Sequence, residues 1–289
     1  MSAMTLQWPQ DARLAVSLVV NVEEGAELNI LEGDRGPDPV DELGIALRKP
    51  VRNHGNESNY RYGINRGAGR ILELLDSFGI RATFTAAAVA LERAPQVAKA
   101  IVAGRHEVCA HGHRWVQQMG MDEETERSFI ADAVTSIEAT TGARPLGWLS
   151  RYLHTDLTRR LLVEAGFLYS MDDFSDDVPF WETTPAGPIV IVPYALDSND
   201  MKMWNAPSLT PNDWLKYALD SFDCLWNESQ REPLMMSLGV HLRIMGRPGR
   251  VWALREFIER VSAMDGVWFA TRSEIARQFA DCCPAPPAT

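Results

Sequence analysis

The sequence predicts an α/β fold: a single-domain, deformed (β/α) barrel with about seven parallel strands. Three observations carry this. Apolar, β-branched runs alternate six or seven times with amphipathic helical stretches, the pattern of parallel strands joined by right-handed crossovers. The first run, LAVSLVVNV at 14–22, is almost continuously apolar, as expected of a strand covered on both faces. The 289 residues suit one barrel, and no repeat or Pro/Ser-rich linker divides them.

In chain order, the strand at 14–22 runs into EEGAE. A polar segment punctuated by Gly and Pro follows, about 30–62, with little periodicity. It is longer than ordinary connections, so it is expected to be a lid, a binding loop or a subunit contact. GAGRILELLDSFG (67–79) has helical apolar spacing and a glycine stop, and IRATFTAAA follows as a strand. A helix over 91–104 leads to HEVCAHG, a strand ending in histidine. DEETERSFIADAVTSIEATTG is an amphipathic helix with acidic residues in its first turn. PLGWLS (strand), TDLTRRLLVEAG (helix), FLYSMDD (strand) and PIVIVPYAL (strand) continue the pattern. PNDWLKYALDSFDCLWNES (helix), LMMSLGVHL (strand), RVWALREFIERVSAMDG (helix), VWFAT (strand) and SEIARQFAD (helix) complete it. The tail at about 281–289 is expected to be loose.

Composition narrows the function classes. Apolar residues make up 46 % and charged residues 23 %, which is globular rather than disordered. A net charge of −11 disfavours a large basic face, so nucleic acid is not an expected partner. The four cysteines, at 109, 224, 282 and 283, form neither a disulfide framework nor a zinc-ribbon spacing. The N-terminal apolar run is too short for a signal core or a membrane span. These features lead to the expectation of a cytoplasmic protein without membrane association.

In such barrels the chemistry sits where strands end at the C-terminal face. Glu23 and Glu24 follow the first strand, and His111 and His113 the third. Trp148, Ser150 and Arg151 follow the fourth, and Asp172 and Asp173 the fifth. Asp197, Asn199 and Asp200 follow the sixth, and His241 and Arg243 the seventh. Carboxylates, histidines and arginines gathered on successive strand ends are the signal.

The same residues carry a family resemblance over nearly the whole length. Glu23-Glu24-Gly25 stands where the polysaccharide deacetylase (NodB-homology) family has Asp-Asp-Gly. His111 stands at its second motif, and Val240-His241 at its late Leu-His motif. The stretches NVEEGAE, HGHRW, RPLGW, GFLYSMDDFSDDVPFW, IVPYALDSNDMKMW and HLRIMGRPGR look like the branch of metal-independent bacterial allantoinases and cyclic imide hydrolases. Family members that use metal take it from the second acid of motif one and from two histidines four apart. Here Trp115 occupies the second histidine's place. The run GWLSRYLH also departs from the family, whose third motif has Arg beside Pro, and supplies Arg151 and His154 instead.

The chemistry that the resemblance implies is hydrolysis of a non-peptide C–N bond. It needs an activated water, a stabilised oxyanion and a proton for the leaving nitrogen. Without metal, Glu24 is the expected base, with its proton affinity raised by Glu23, and His241 or His111 the acid. Arg243 is a candidate carbonyl clamp. Trp115, Trp148, Arg151, Tyr194, Asn199 and Asp200 are candidates for substrate contact. A small cyclic amide, allantoin or a cyclic imide, is the expected substrate, because its carbonyl is activated enough to open without a strong Lewis acid.

No cofactor is favoured. The alternative is a zinc- or other metal-dependent N-deacetylase of acetylated sugars that uses Glu24, His111 and His113. A further alternative is an inactive ligand-binding barrel. The branch resemblance implies a homo-oligomer, a tetramer or dimer.

Overall fold

The computed structural model describes residues 5–44, 50–152, 154–205 and 207–286. Its centre is strand β1 (Leu14–Val22). On one side β1 pairs along its whole length with β8 (Leu234–His241). On the other it pairs first with β9 (Val267–Phe269) and then with β2 (Thr83–Ala86). The sheet continues through β3 (Glu107–Ala110), β4 (Gly147–Trp148), β5 (Tyr169–Ser170) and β7 (Gly187–Ile191). All these pairings are parallel.

β6 (Phe180–Thr184) adds an antiparallel edge against β7, a hairpin the sequence did not announce. With it the described sheet has nine strands, eight of them parallel, in line with the expected alternation. It curls into an incomplete barrel. Its ends meet through an Asn199–Gly239 bridge and a hydrogen bond from Met235 N to the Asp177 carbonyl at 2.8 Å, not through a continuous ladder.

The helices cover the outside. They are α1 (His54–Tyr62), α2 (Ala68–Ser77), α3 (Ala88–Arg93), α4 (Pro95–Ala103) and α5 (Glu123–Thr141). After them come α6 (Thr158–Glu164), α7 (Pro211–Glu228), α8 (Val251–Ser262) and α9 (Arg272–Cys282). The helix expected over 91–104 is two, because Pro95 starts a new one. Of the tail expected to be loose over about 281–289, the start is anchored: α9 reaches Cys282, and the Cys283 carbonyl accepts the Trp181 indole N–H at 2.7 Å; residues 287–289 lie outside the described residues.

The segment over 30–62, read as having little periodicity, is partly helical. Residues 26–44 are an irregular strap, but α1 begins at His54 and runs through one π turn, Gly63–Gly67, into α2. Its buried side is Asn56 and Tyr60 rather than an aliphatic stripe, which hides it from a hydrophobic-periodicity reading. Gly67 lets it dock: a Cβ there would collide with the Leu242 carbonyl.

Side-chain alternation assigns each strand residue to one of two layers. On β1, Leu14, Val16, Leu18, Val20 and Val22 join the core between sheet and helices, whereas Ala15 and Val19 join the barrel interior. β8 divides likewise, with Leu234, Met236, Leu238 and Val240 outward and Met235 inward. This two-residue parity decides which strand-end side chains reach the mouth of the barrel.

Candidate active site

A cavity of about 810 Å³ opens above the C-terminal strand ends, lined among others by Glu23, His111, Trp115, Arg151, Tyr194 and His241. Glu23 continues the inward parity of residues 15, 17, 19 and 21, so its carboxylate enters the cavity. Glu24 has the opposite parity and is not among the lining residues. It is packed against Gly63, where a Cβ would overlap its carboxyl group. Its oxygens accept the backbone N–H groups of Glu23 (3.0 Å) and Arg243 (3.1 Å). Burial pushes Glu24 up to about 7, with the Glu23 charge adding to the effect and Arg243 opposing it. The expected rise in proton affinity is present, but on a carboxyl that does not face the cavity. The carboxylate in position to act as base is Glu23.

Glu23 is 2 % exposed and sits inside a ring of cations. Oε2 accepts from Arg243 Nη1 at 2.7 Å, and Oε1 lies 3.3 Å from His241 Nε2. Burial alone would raise its pKa, but the charges of His241 and Arg243 outweigh burial and hold it well below the usual carboxylate range. His241 ends β8 directly opposite Asn21. Its Nδ1 bonds Asp200 Oδ1 at 2.6 Å, and Asp200 Oδ2 accepts the His241 backbone N–H at 2.8 Å. Burial opposes charge on this imidazole too, yet Glu23 and Asp200 push it up to about 10. At neutral pH the pair is carboxylate and imidazolium.

His111 lines the same cavity but has no nitrogen free. Its Nδ1 is 2.6 Å from the Leu149 carbonyl, which can only accept, so Nδ1 carries the proton. Its Nε2 lone pair receives the Trp115 indole N–H at 3.0 Å. The 3.6 Å to Glu23 Oε1 is too long for a hydrogen bond. Both ring nitrogens of His111 are thus engaged within the protein, which leaves neither free to face a substrate. His113 does not share its face: Gly112 turns the chain at φ +86°, and His113 is not a lining residue.

The donor set does not fit a metal ion. His111 Nε2, at the expected ligand position, is capped by an indole N–H, which cannot be a ligand. The carboxylate beside it is taken up by a guanidinium and an imidazolium. Among the described residues, no group of three or more His, Cys, Asp and Glu is arranged to hold one.

Several candidates for substrate contact have other positions. Trp148 is fully buried in the outer layer, edge-on to Phe129 and Phe167, because it has outward parity. Arg243 is also fully buried and does not line the cavity; it spans Glu23 and Glu42 (Nε–Oε1 2.7 Å) under the Tyr60 ring at 4.2 Å. Asp200 stands behind His241. Those three act from outside the cavity. Trp115, Arg151, Tyr194 and Asn199 do line it.

Arg151 makes a two-pronged pair with Asp38 (2.8 Å each) and stacks 3.7 Å over the Trp115 ring. It ties the strap to the residue that caps His111. The strap lies largely within the segment expected to be a lid, a binding loop or a subunit contact, but its ion pairs were not foreseen. Its Asp34, Asp38 and Glu42 pair with Arg114, Arg151 and Arg243, and its Pro39 and Val40 form cavity wall. Carboxylates in an unperiodic loop look like solvated charge until their arginines are placed. Asp172 and His154 also line the cavity, as do Asn21 and Lys202, which the sequence did not single out. Asn21 was within reach of the parity argument.

A family model described as polysaccharide deacetylase matches residues 59–169. The chain is 34 % identical over 297 residues to a Schizosaccharomyces pombe protein named "Putative polysaccharide deacetylase", covering 95 % of this chain and 92 % of that one. Among solved structures, PuuE allantoinase superposes with a TM-score of 0.92 at 41 % identity, covering 96 % of this chain and 94 % of that one. A "probable Polysaccharide deacetylase" from Pseudomonas aeruginosa PAO1 superposes with a TM-score of 0.90 at 39 % identity, covering 95 % and 93 %.

Proposed function

The chain belongs to the polysaccharide deacetylase family, and from that premise we propose that it hydrolyses a non-peptide C–N bond by opening a small cyclic amide, an imide or a ureide such as allantoin, without a metal ion. The observation that carries this reading is the Trp115 N–H seated on His111 Nε2. It stands where the family's metal-using members are expected to have their second histidine ligand. The carbonyl must then be attacked with protein groups alone, which suits the activated carbonyl of an imide or ureide better than an unactivated acetamide. Likeness to PuuE allantoinase supports the same substrate class. So does the cavity, whose volume suits a small molecule.

Glu23 and His241 divide the work. Glu23 takes a proton from a water poised over the substrate carbonyl, and His241 gives its Nε2 proton to the leaving nitrogen. One group gains a proton as the other loses one, so the charge of the buried pair is conserved through the reaction. That matters where an uncompensated charge costs several kcal/mol. Afterwards the proton on Glu23 passes to His241 across their 3.3 Å separation, which restores the ion pair. Asp200 holds the imidazole and keeps it protonated, while Arg243 holds Glu23 ionised and aimed.

The test is the purified protein assayed with allantoin, hydantoin, succinimide and N-acetylated sugars, with and without a chelator. Ring opening that survives the chelator is expected. Activity confined to acetylated sugars, or abolished by the chelator and restored by a divalent metal, overturns the reading.

A further inference from the structure

An amide opened without a Lewis acid needs hydrogen-bond donors on its carbonyl oxygen while that atom carries negative charge. The floor of the cavity holds a donor whose own proton is uncommitted. Tyr194 Oη receives Asn21 Nδ2 at 3.0 Å and Asn199 Nδ2 at 3.2 Å. Neither amide can be turned round. Asn21 Nδ2 also donates to the Val240 carbonyl at 3.1 Å, and Asn199 Oδ1 accepts the Met201 backbone N–H at 2.9 Å. Both nitrogens therefore point at the phenol oxygen and fill its acceptor capacity. Among the described residues no group accepts the phenol's own hydrogen.

The position suits a role in the reaction. Asn21 precedes Glu23 by two residues on β1, and Gly239 precedes His241 by two on β8, so each shares its partner's inward face. A Cβ at residue 239 would collide with Tyr194 Oη and Asn199 Nδ2. Glycine is what lets the phenol reach the floor, one pleat below the Glu23–His241 pair. Tyr194, Asn21 and Asn199 all line the cavity with that pair. Burial pushes the Tyr194 pKa above its ordinary value, against the Asn21 hydrogen bond, so the phenol keeps its proton. Two amide donors on its oxygen also polarise the O–H and strengthen it as a donor.

We propose that the Tyr194 hydroxyl is a catalytic group of this site, donating a hydrogen bond to the substrate carbonyl oxygen as that oxygen becomes an oxyanion. The assignment rests on the hydrolysis proposed above. A bond forms between the water oxygen and the carbonyl carbon, and the C=O π pair moves onto oxygen. Glu23 takes the water's proton. Tyr194 donates without giving its proton up. The oxygen pair then re-forms the C=O bond, the C–N bond breaks, and the nitrogen receives the proton of His241. The carboxylic acid product ionises to solvent.

Tyr194→Phe keeps the ring and removes the donor. Its kcat on hydantoin or succinimide is expected to fall about 100- to 1000-fold, the usual loss for one oxyanion donor, with KM changed less than about threefold. A cyclic phosphonamidate, whose anionic tetrahedral oxygen imitates the intermediate, is expected to bind the variant more weakly by the same factor as the loss in kcat/KM. A partly unfolded variant would lose kcat without any change in that Kd, so the second measurement separates a chemical role from a structural one. An unchanged kcat, a rise confined to KM, or a kcat loss with unchanged phosphonamidate binding each overturns the assignment and leaves the proposed function standing. A wild-type protein that opens no cyclic amide overturns both.

Discussion

Glu23 and His241 are each perturbed in the direction that keeps both charged, and this has consequences for pH. For the free enzyme, kcat/KM is expected to hold on the alkaline side until His241 loses its proton near pH 10, and on the acid side until well below pH 4.5. Asp200→Asn removes one of the two charges that stabilise the imidazolium, so the alkaline limb should move down by about one unit or more; a pH–rate profile of the variant reads this directly. Stability follows by linkage. The folded pKa of His241 lies above its unfolded value, so its contribution is complete below about pH 6.5 and is lost as pH rises to about 10. Glu24, raised by burial, adds a decline between about pH 4.5 and 7. Urea unfolding from pH 5 to 10 should show falling stability, and the slope above about pH 7 should be shallower in His241→Gln. At this scale the choice between Glu23 and Glu24 was legible in the sequence: counting inward positions 15, 17, 19 and 21 along β1 leads to 23. The partnering of His111 was only half legible: Trp115 lies four residues on, but the Leu149 carbonyl comes from a distant strand end.

Two elements hold the site in shape, and both were poorly legible. The strap at 26–44 is fastened by three carboxylate–arginine pairs, of which Asp38–Arg151 is the most buried. Asp38→Asn leaves the Arg151 charge uncompensated and should cost about 3–5 kcal/mol, measured by denaturant unfolding. It should also loosen Trp115, to which Arg151 donates at 2.6 Å. The run from α1 through the π turn to α2 docks by closeness rather than by an aliphatic stripe. Gly67→Ala forces the helix off the Leu242 carbonyl and should cost about 1–3 kcal/mol by overpacking, visible as a lowered Tm. Conversely, the parallel strands and the long helices α5 and α7 were read correctly in position, because an apolar run or a helical stripe is a local signal.

The whole molecule is knit together from both ends of its sequence. β1, near the N-terminus, pairs with β8 and β9, near the C-terminus, and the Trp8 indole donates to the Leu234 carbonyl at 2.8 Å. The Glu23–His241 ion pair is split in the same way, with Glu23 at the end of β1 and His241 at the end of β8. A chain ending at residue 206 would leave one side of β1 unpaired and remove His241. It should fail to fold, giving no protected core in limited proteolysis, whereas the full chain should melt in a single calorimetric transition.

The sequence by itself determined the strand–helix alternation, hence the barrel, the rim on which the chemistry sits, and the family. These depend on local periodicity and on short motifs that survive without coordinates. Only the tertiary structure decided how each rim residue is partnered. Most of those partners are distant in sequence: Asp200 on His241, Arg243 on Glu23, and the Leu149 carbonyl on His111. A buried ionisable group has no fixed pKa or hydrogen-bond direction until those partners are placed around it.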